Sequence, residues 1–320
     1  MKKIEDQMME KSHPLSKVMG HFESWYCERY FRYFEANVLN KLNKQKEAIN
    51  EICIRSINDV KKFVSLIKKA ILDFYNIKLI SGDINKELAH IIATKCILKG
   101  DVYNIIFNLI TQKNKQDIGN LFKKMLKLKK ITLKDVNVNE YFRFDYDFRN
   151  KFKDQIVPLR YARSFDNLEE ALKESPSPKP EKNEVSEEKL KSVTNFKKCI
   201  SDLRNVKNVE DPERKLECFS SDLTRNILEA VDVFWKGFDV KQSKLTIDAD
   251  NLLNIYIFIV IKTQYAKLIT EHELINEFIC DSSRMSSLGI LISCLSIIKV
   301  IIWLLLQLQL NISSKKWTLI

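Results

Sequence analysis

Two aspartates, Asp248 and Asp250, stand at the start of an apolar run, Leu252–Ile261, whose polar break is Asn254. Such a run predicts a buried helix, so both aspartates would lie in its cap and first turn. A carboxylate there is favoured by the helix dipole and held by fixed neighbours, so it can be presented rigidly to a partner. The alternative is that Asp248 and Asp250 merely cap and charge a core helix.

The rest of the chain shows no site for conventional chemistry. The 7 cysteines form no C-x-x-C pair, which is typical of reduced thiols in an intracellular protein. The 4 histidines lack zinc-site spacing, and the 6 glycines never cluster into a phosphate-binding loop. We therefore expect no metal, no cofactor and no nucleotide site within this chain.

Composition indicates an all-helical protein. Apolar residues make up 45% of 320 residues, whereas glycine and proline number only 6 each. The net charge is +11, but acidic residues number 42, so we attribute the charge to general composition. The densest basic run is Lys123–Lys134. We interpret this run as a solvated face, with peripheral contact to acidic membranes as the alternative. Nucleic-acid binding is not expected, because no aromatic stacking platform accompanies the run.

Helical periodicity and composition divide the chain into segments. Phe22–Ile77 is predicted to form one or two long helices, with one apolar stripe made by Val60, Phe63, Val64, Ile67, Ile71 and Phe74. Shorter helices are predicted over Ile84–Leu98, Val102–Thr111 and Ile118–Leu128. The expected order is an N-terminal bundle over 1–173, a flexible loop rich in proline, serine, glutamate and lysine over 174–189, a core over 190–312 and a tail over 313–320.

The stretch Asp248–Thr263 resembles the vacuolar-protein-sorting-nine domain, the catalytic module of exchange factors for endosomal Rab GTPases. That family reads small-Ala-Asp-Asp-Leu-Leu-Pro, an aliphatic run and Lys-Ala, and the chain here reads DADNLLN, IYIFIVI and Lys-Thr. A second block from Leu268 to Met285 resembles the family's next helix and turn. Phe196–Phe219, with Pro212, Lys215 and Leu216, is similar to an upstream block. Asp101–Phe144 is similar to the helical bundle that precedes the core in many members.

The resemblance implies an all-α fold in which a helical bundle packs on a layered all-helical core. It also implies a guanine-nucleotide exchange factor for a small GTPase of the Rab-five subfamily, acting in endocytic trafficking from the cytoplasm on endosomal membranes. Asp250 would be the acidic finger, the carboxylate that enters the GTPase's nucleotide pocket. The GTPase would bind a groove lined by Leu253, Asn254, Ile257, Gly289, Ile290 and Ser293.

The departures from the family pattern leave two alternatives open. Asn254 replaces the family proline, Ile290 replaces a tyrosine expected to touch the GTPase, and Ser293 replaces a threonine. The chain could therefore be a helical adaptor that binds a Rab or another partner with weak or no exchange activity. Leu288–Leu310 is long and apolar enough to span a bilayer, so a tail-anchored membrane protein is the other alternative.

Overall fold

The computed structural model describes residues 2–34, 46–75, 83–152, 196–238, 240–279, 296 and 299–306. Every regular element in these ranges is helical and none is a strand, which confirms the predicted all-α class. The helices are α1 (Lys2–Met9), α2 (Pro14–Tyr30), α3 (Lys46–Phe74), α4 (Asp83–Ile97), α5 (Gly100–Lys113), α6 (Lys115–Lys127), α7 (Tyr146–Asn150), α8 (Lys197–Asn205), α9 (Pro212–Glu217), α10 (Leu223–Trp235), α11 (Gln242–Leu245), α12 (Ala249–Thr263) and α13 (Leu268–Phe278). Residues 299–306 are also helical.

The chain divides into two compact units, which are described separately. The first comprises the described residues within Met1–Lys130, Asp202–Leu223 and Val260–Asn311. Its core is centred on α3, which packs against α4 and α5. Much of the predicted stripe on α3 is buried, but Phe63 is only partly buried and Phe74 is exposed, so the stripe is narrower than the sequence indicated.

Helix α13 belongs to the same core as the N-terminal helices. Leu274 and Phe278 lie in one hydrophobic cluster with residues of α2 to α5. The Glu273 carboxylate accepts hydrogen bonds from Lys113 Nζ at 2.5 Å and from Asn114 Nδ2 at 2.7 Å. Helices from before and after the 153–195 stretch therefore stabilise each other. The boundaries predicted at 173 and 190 lie outside the described residues and stay a prediction.

The second unit comprises the described residues within Ile131–Ser201 and Thr224–Ile259. It is held by aromatic side chains around Trp235, whose indole Nε1 donates to the Tyr141 carbonyl at 2.8 Å. Phe144 and Phe196 adopt φ values of 55° and 56°, a left-handed conformation that costs energy for large side chains. Their rings meet edge to face at 4.7 Å, and this buried contact offsets the backbone cost.

Helix α12 is the buried helix that the apolar run predicted. Asn254–Ile261 is buried throughout, whereas Leu252 and Leu253 are only half-buried. The face of α12 that carries Tyr256 is anchored inside the second unit, because the Tyr256 hydroxyl and Thr224 Oγ1 are hydrogen-bonded at 2.9 Å. The N-terminal turn of α12 therefore reaches the surface while the rest of the helix is fixed in the interior.

In the part of the chain that the structure describes, no single helix is long and apolar enough to cross a membrane. Helices α12 and α13 reach the length and apolar composition of a membrane span only when they are counted together, and the pair is strongly bent. The possible tail anchor, Leu288–Leu310, lies largely outside the described residues, so that alternative stays untested.

Candidate functional site

The side chain of Asp248 caps helix α12. Its Oδ1 accepts the Asn251 backbone N–H at 2.7 Å, and the Asn251 side-chain amide donates to both carboxylate oxygens at 2.9 and 3.1 Å. Asn251 is held from its other side by the Asn139 backbone N–H, which donates to Asn251 Oδ1 at 2.7 Å. The first turn of α12 is therefore fixed both by its own cap and by the loop that carries Asn139.

Asp250 lies in the same turn but has a different environment. It is exposed, and among the described residues its carboxylate has neither a hydrogen bond nor an ion pair. The structure thereby separates two aspartates that the apolar pattern alone leaves equivalent: Asp248 caps the helix, whereas Asp250 is exposed and has no partner among the described residues. The helix N-terminus behind Asp250 favours its negative charge.

Three predicted groove residues continue from Asp250 along one face of α12. Leu253, Asn254 and Ile257 follow at the i+3, i+4 and i+7 positions, which share a helix face. Leu253 is half-buried, and Asn254 and Ile257 each retain 8% exposure. The neighbouring Ile255, Tyr256 and Ile259 have none.

The Asn254 amide forms no hydrogen bond with any residue in the described ranges. Asn254 is therefore a polar group close to Asp250 that no described residue uses.

The other half of the predicted groove lies outside the described residues. Gly289, Ile290 and Ser293 fall within 280–295, so their proximity to Asp250 stays a prediction. Sequence reasoning missed Asn139, which lies 112 positions before Asn251, because no local signal links two residues so far apart.

Comparison with known families gives one assignment. Residues 196–303 match the family model described as the Vacuolar sorting protein 9 (VPS9) domain. The chain carries a VPS9 domain. The match covers about a third of the 320 residues and includes α8 to α13, with Asp250, Leu253, Asn254 and Ile257. A search of curated proteins found no match to the chain.

The VPS9 domain implies activity as a Rab guanine-nucleotide exchange factor in general, and a small GTPase as partner. This agrees at that level with the function that the sequence resemblance implied. The GTPase subfamily, the acidic-finger role and the cellular pathway are finer statements, which the match alone does not give.

A buried ion pair links two helices of the VPS9 domain. Lys215 Nζ on α9 lies 2.5 Å from Glu271 Oε2 on α13, and both side chains have 0% exposure. Lys215 Nζ also donates to the Val206 carbonyl at 3.1 Å, and the Tyr265 hydroxyl donates to Glu271 Oε1 at 2.6 Å. Each charge is therefore both paired and hydrogen-bonded, as burial requires.

Burial perturbs the protonation of both members of this pair. Loss of water lowers the pKa of the Lys215 ammonium and raises the pKa of the Glu271 carboxyl, while the opposite charge of the partner acts against each shift. On α5, the rings of Tyr103 and Phe107 have their centroids 5.4 and 6.0 Å from Lys215 Nζ. The pair therefore connects the VPS9 domain to the helix of the N-terminal bundle that packs against it.

The VPS9 domain shows no metal site in the region that the structure describes, where no group of three histidine, cysteine, aspartate or glutamate side chains could hold an ion. The exposed carboxylate of Asp250 stands at a helix start without a second acidic ligand beside it, because Asp248 is occupied by Asn251. An exposed carboxylate at the start of α12 can accept hydrogen bonds from a cation.

Proposed function

We propose that this protein promotes GDP release from a small GTPase of the Rab-five subfamily, using Asp250 as an acidic finger. The observation that carries the proposal is the contrast at the head of α12, where Asp248 is engaged as a cap and Asp250 is exposed and unpaired among the described residues. Insertion into a cationic pocket requires a carboxylate that is exposed and held on a rigid helix start.

The chemistry of the step is electrostatic and breaks no covalent bond. Small GTPases hold GDP through a phosphate-binding loop, the lysine of that loop and Mg²⁺. The Asp250 carboxylate would accept hydrogen bonds from that lysine in place of the β-phosphate. Its negative charge would also repel the phosphates of GDP, so nucleotide and Mg²⁺ would leave while the empty pocket stays stabilised.

The face of α12 beyond Asp250 provides the surface for the GTPase. Leu253 and Ile257 offer apolar area, and Asn254 offers an amide that no described residue uses. Gly289, Ile290 and Ser293 would line the opposite side of the groove, a placement that rests on the family resemblance. The protein would act from the cytoplasm on endosomal membranes in endocytic trafficking, where Rab GTPases of this subfamily would be its substrates.

The Asn254→Leu variant is expected to be more stable and less active. Leucine is apolar and the position is only 8% exposed, so the free energy of unfolding should rise by about 1 kcal/mol. Loss of the same amide from the interface should slow GDP release about three- to tenfold. Urea unfolding and stopped-flow release of fluorescent GDP measure the two effects.

The control for Asn254→Leu is Asn108→Leu, which makes the same chemical change at an exposed position of α5. This control should release GDP at the parent rate. A gain in stability without any loss of exchange would remove Asn254 from the proposed interface.

A panel of purified Rab GTPases loaded with fluorescent GDP tests the proposed function directly. Accelerated release from members of the Rab-five subfamily, dependent on the concentration of this protein, is expected. Binding to a nucleotide-free GTPase without faster GDP release would support the adaptor alternative. That alternative is favoured by Asn254 and Ile290, which replace the family proline and tyrosine. Acceleration of an unrelated Rab instead would overturn the subfamily assignment.

A further inference from the structure

Helix α6 (Lys115–Lys127) carries an apolar ridge that faces solvent. Leu121 and Met125 are fully buried and anchor the helix to the first compact unit. Phe122 and Leu126, each one position further along, remain 43% and 47% exposed. They lie four residues apart, so their side chains are neighbours on one face of the helix. The apolar face of α6 therefore extends beyond the part that packs against the core, and Phe122 and Leu126 are left facing solvent.

Lysines border this ridge. Lys115, Lys123 and Lys127 on α6 are exposed, as are Lys129 and Lys130 directly after it. Asp117 is the only acidic residue between 115 and 130. Lys124 does not belong to the border, since it is half-buried and donates to the Leu306 carbonyl. The surface therefore combines two large exposed apolar side chains with a strongly cationic rim.

We propose that α6 is a lipid-contact surface that docks the protein on an anionic phospholipid bilayer. An interfacial helix buries an apolar face at the level of the acyl chains and places lysines among the headgroups. Phe122 and Leu126 supply the first element, and the exposed lysines supply the second. Lysines close to the membrane surface are attracted to its anionic lipids.

The same features disfavour nucleic acid as the ligand. Phosphate backbones would engage the lysines but would leave Phe122 and Leu126 without a role, because single strands stack on arrays of aromatic rings and the ridge holds a single ring. A bilayer uses both the charge and the apolar ridge. This proposal goes beyond the exchange reaction, since lipid contact through α6 requires neither Asp250 nor a GTPase.

Flotation of the full-length protein with phosphatidylcholine vesicles containing increasing shares of phosphatidylserine tests the proposal. Bound protein should increase with the phosphatidylserine share and decrease with salt. Lys123→Glu/Lys127→Glu should weaken binding at least about tenfold, because two attractive charges become repulsive. Leu126→Gln should weaken binding several-fold at fixed charge, because the ridge loses its second apolar side chain.

Matched controls separate lipid contact from loss of charge or of fold. Leu228→Gln alters a leucine on α10 that is 46% exposed, and Lys197→Glu/Lys207→Glu makes the same change in net charge at exposed positions on other elements. Both controls should bind vesicles like the parent. Circular dichroism is expected to show unchanged helix content for every variant.

Two results would overturn the proposal. The first is that Leu126→Gln binds vesicles as well as the parent does, while Lys123→Glu/Lys127→Glu loses binding to vesicles and to an oligonucleotide equally. This result would indicate a surface that binds polyanions in general. The second is binding that does not depend on the phosphatidylserine share. GDP release measured without vesicles should be unchanged in the α6 variants, so failure here and failure of the exchange proposal are separate outcomes.

Discussion

Asp250→Ala is expected to abolish GDP release while leaving the fold intact. Removing one partner of a desolvated charge pair at an interface costs about 2–5 kcal/mol, equivalent to a fall in release rate of about thirtyfold or more. In the free protein Asp250 is exposed and has no partner among the described residues, so its contribution to stability is limited to the helix dipole, about 0.3–1 kcal/mol. Stopped-flow nucleotide release and thermal unfolding measure the two quantities.

Asp248→Ala is the matched control for this prediction. It removes a carboxylate two positions away that caps α12, so it should cost about 1 kcal/mol of stability. Its effect on exchange should be smaller than that of Asp250→Ala, provided that Asn139 and Asn251 keep the turn in place. Asp250→Asn should fail like Asp250→Ala, because the amide keeps the shape but not the charge. Equal release rates for Asp250→Ala and the parent would reject the acidic finger.

The sequence was informative wherever structure follows from local periodicity. The predicted helices at 84–98, 102–111 and 118–128 appear as α4, α5 and α6 with ends shifted by few residues. Capping by Asp248 was one of the two interpretations of the aspartates, because helix starts have local sequence signals. The family resemblance singled out Asp250, but the apolar pattern alone does not tell which aspartate lacks a partner among the described residues, since that depends on where the Asn251 side chain points.

Contacts between residues far apart in the sequence could not be predicted from the sequence. Lys215 enters the sequence comparison only beside Pro212 and Leu216, and the local sequence assigns no role to Glu271. Nothing in either local sequence indicates that two residues 56 positions apart share a fully buried pair. Burial of charges carries no periodic signature, because it is decided by tertiary packing. The same limit applies to Phe122 and Leu126, whose exposure is not visible in the apolar pattern of α6.

Lys215→Met is expected to lower the free energy of unfolding by about 3–5 kcal/mol, because it leaves the Glu271 carboxylate buried without a counter-charge. Methionine keeps most of the apolar stem, so the loss reflects charge and not volume. The surface pair Lys198–Glu229, at 3.2 Å with 54% and 51% of the side chains exposed, provides the control. Lys198→Met should change stability by less than about 1 kcal/mol in the same urea titration.

The pH dependence and a second variant show whether the unpaired charge is the cause. Without Lys215, burial should raise the pKa of Glu271 further, so the folded state would bind a proton that the unfolded state releases. Stability of Lys215→Met should therefore recover as pH is lowered from neutral and decline as pH rises. Lys215→Met/Glu271→Gln removes both charges and keeps an acceptor for the Tyr265 hydroxyl, so most of the lost stability should return. If the double variant is as unstable as Lys215→Met at neutral pH, the penalty comes from lost contacts of Lys215 with Val206 and the α5 rings, and the buried pair does not hold α9 to α13.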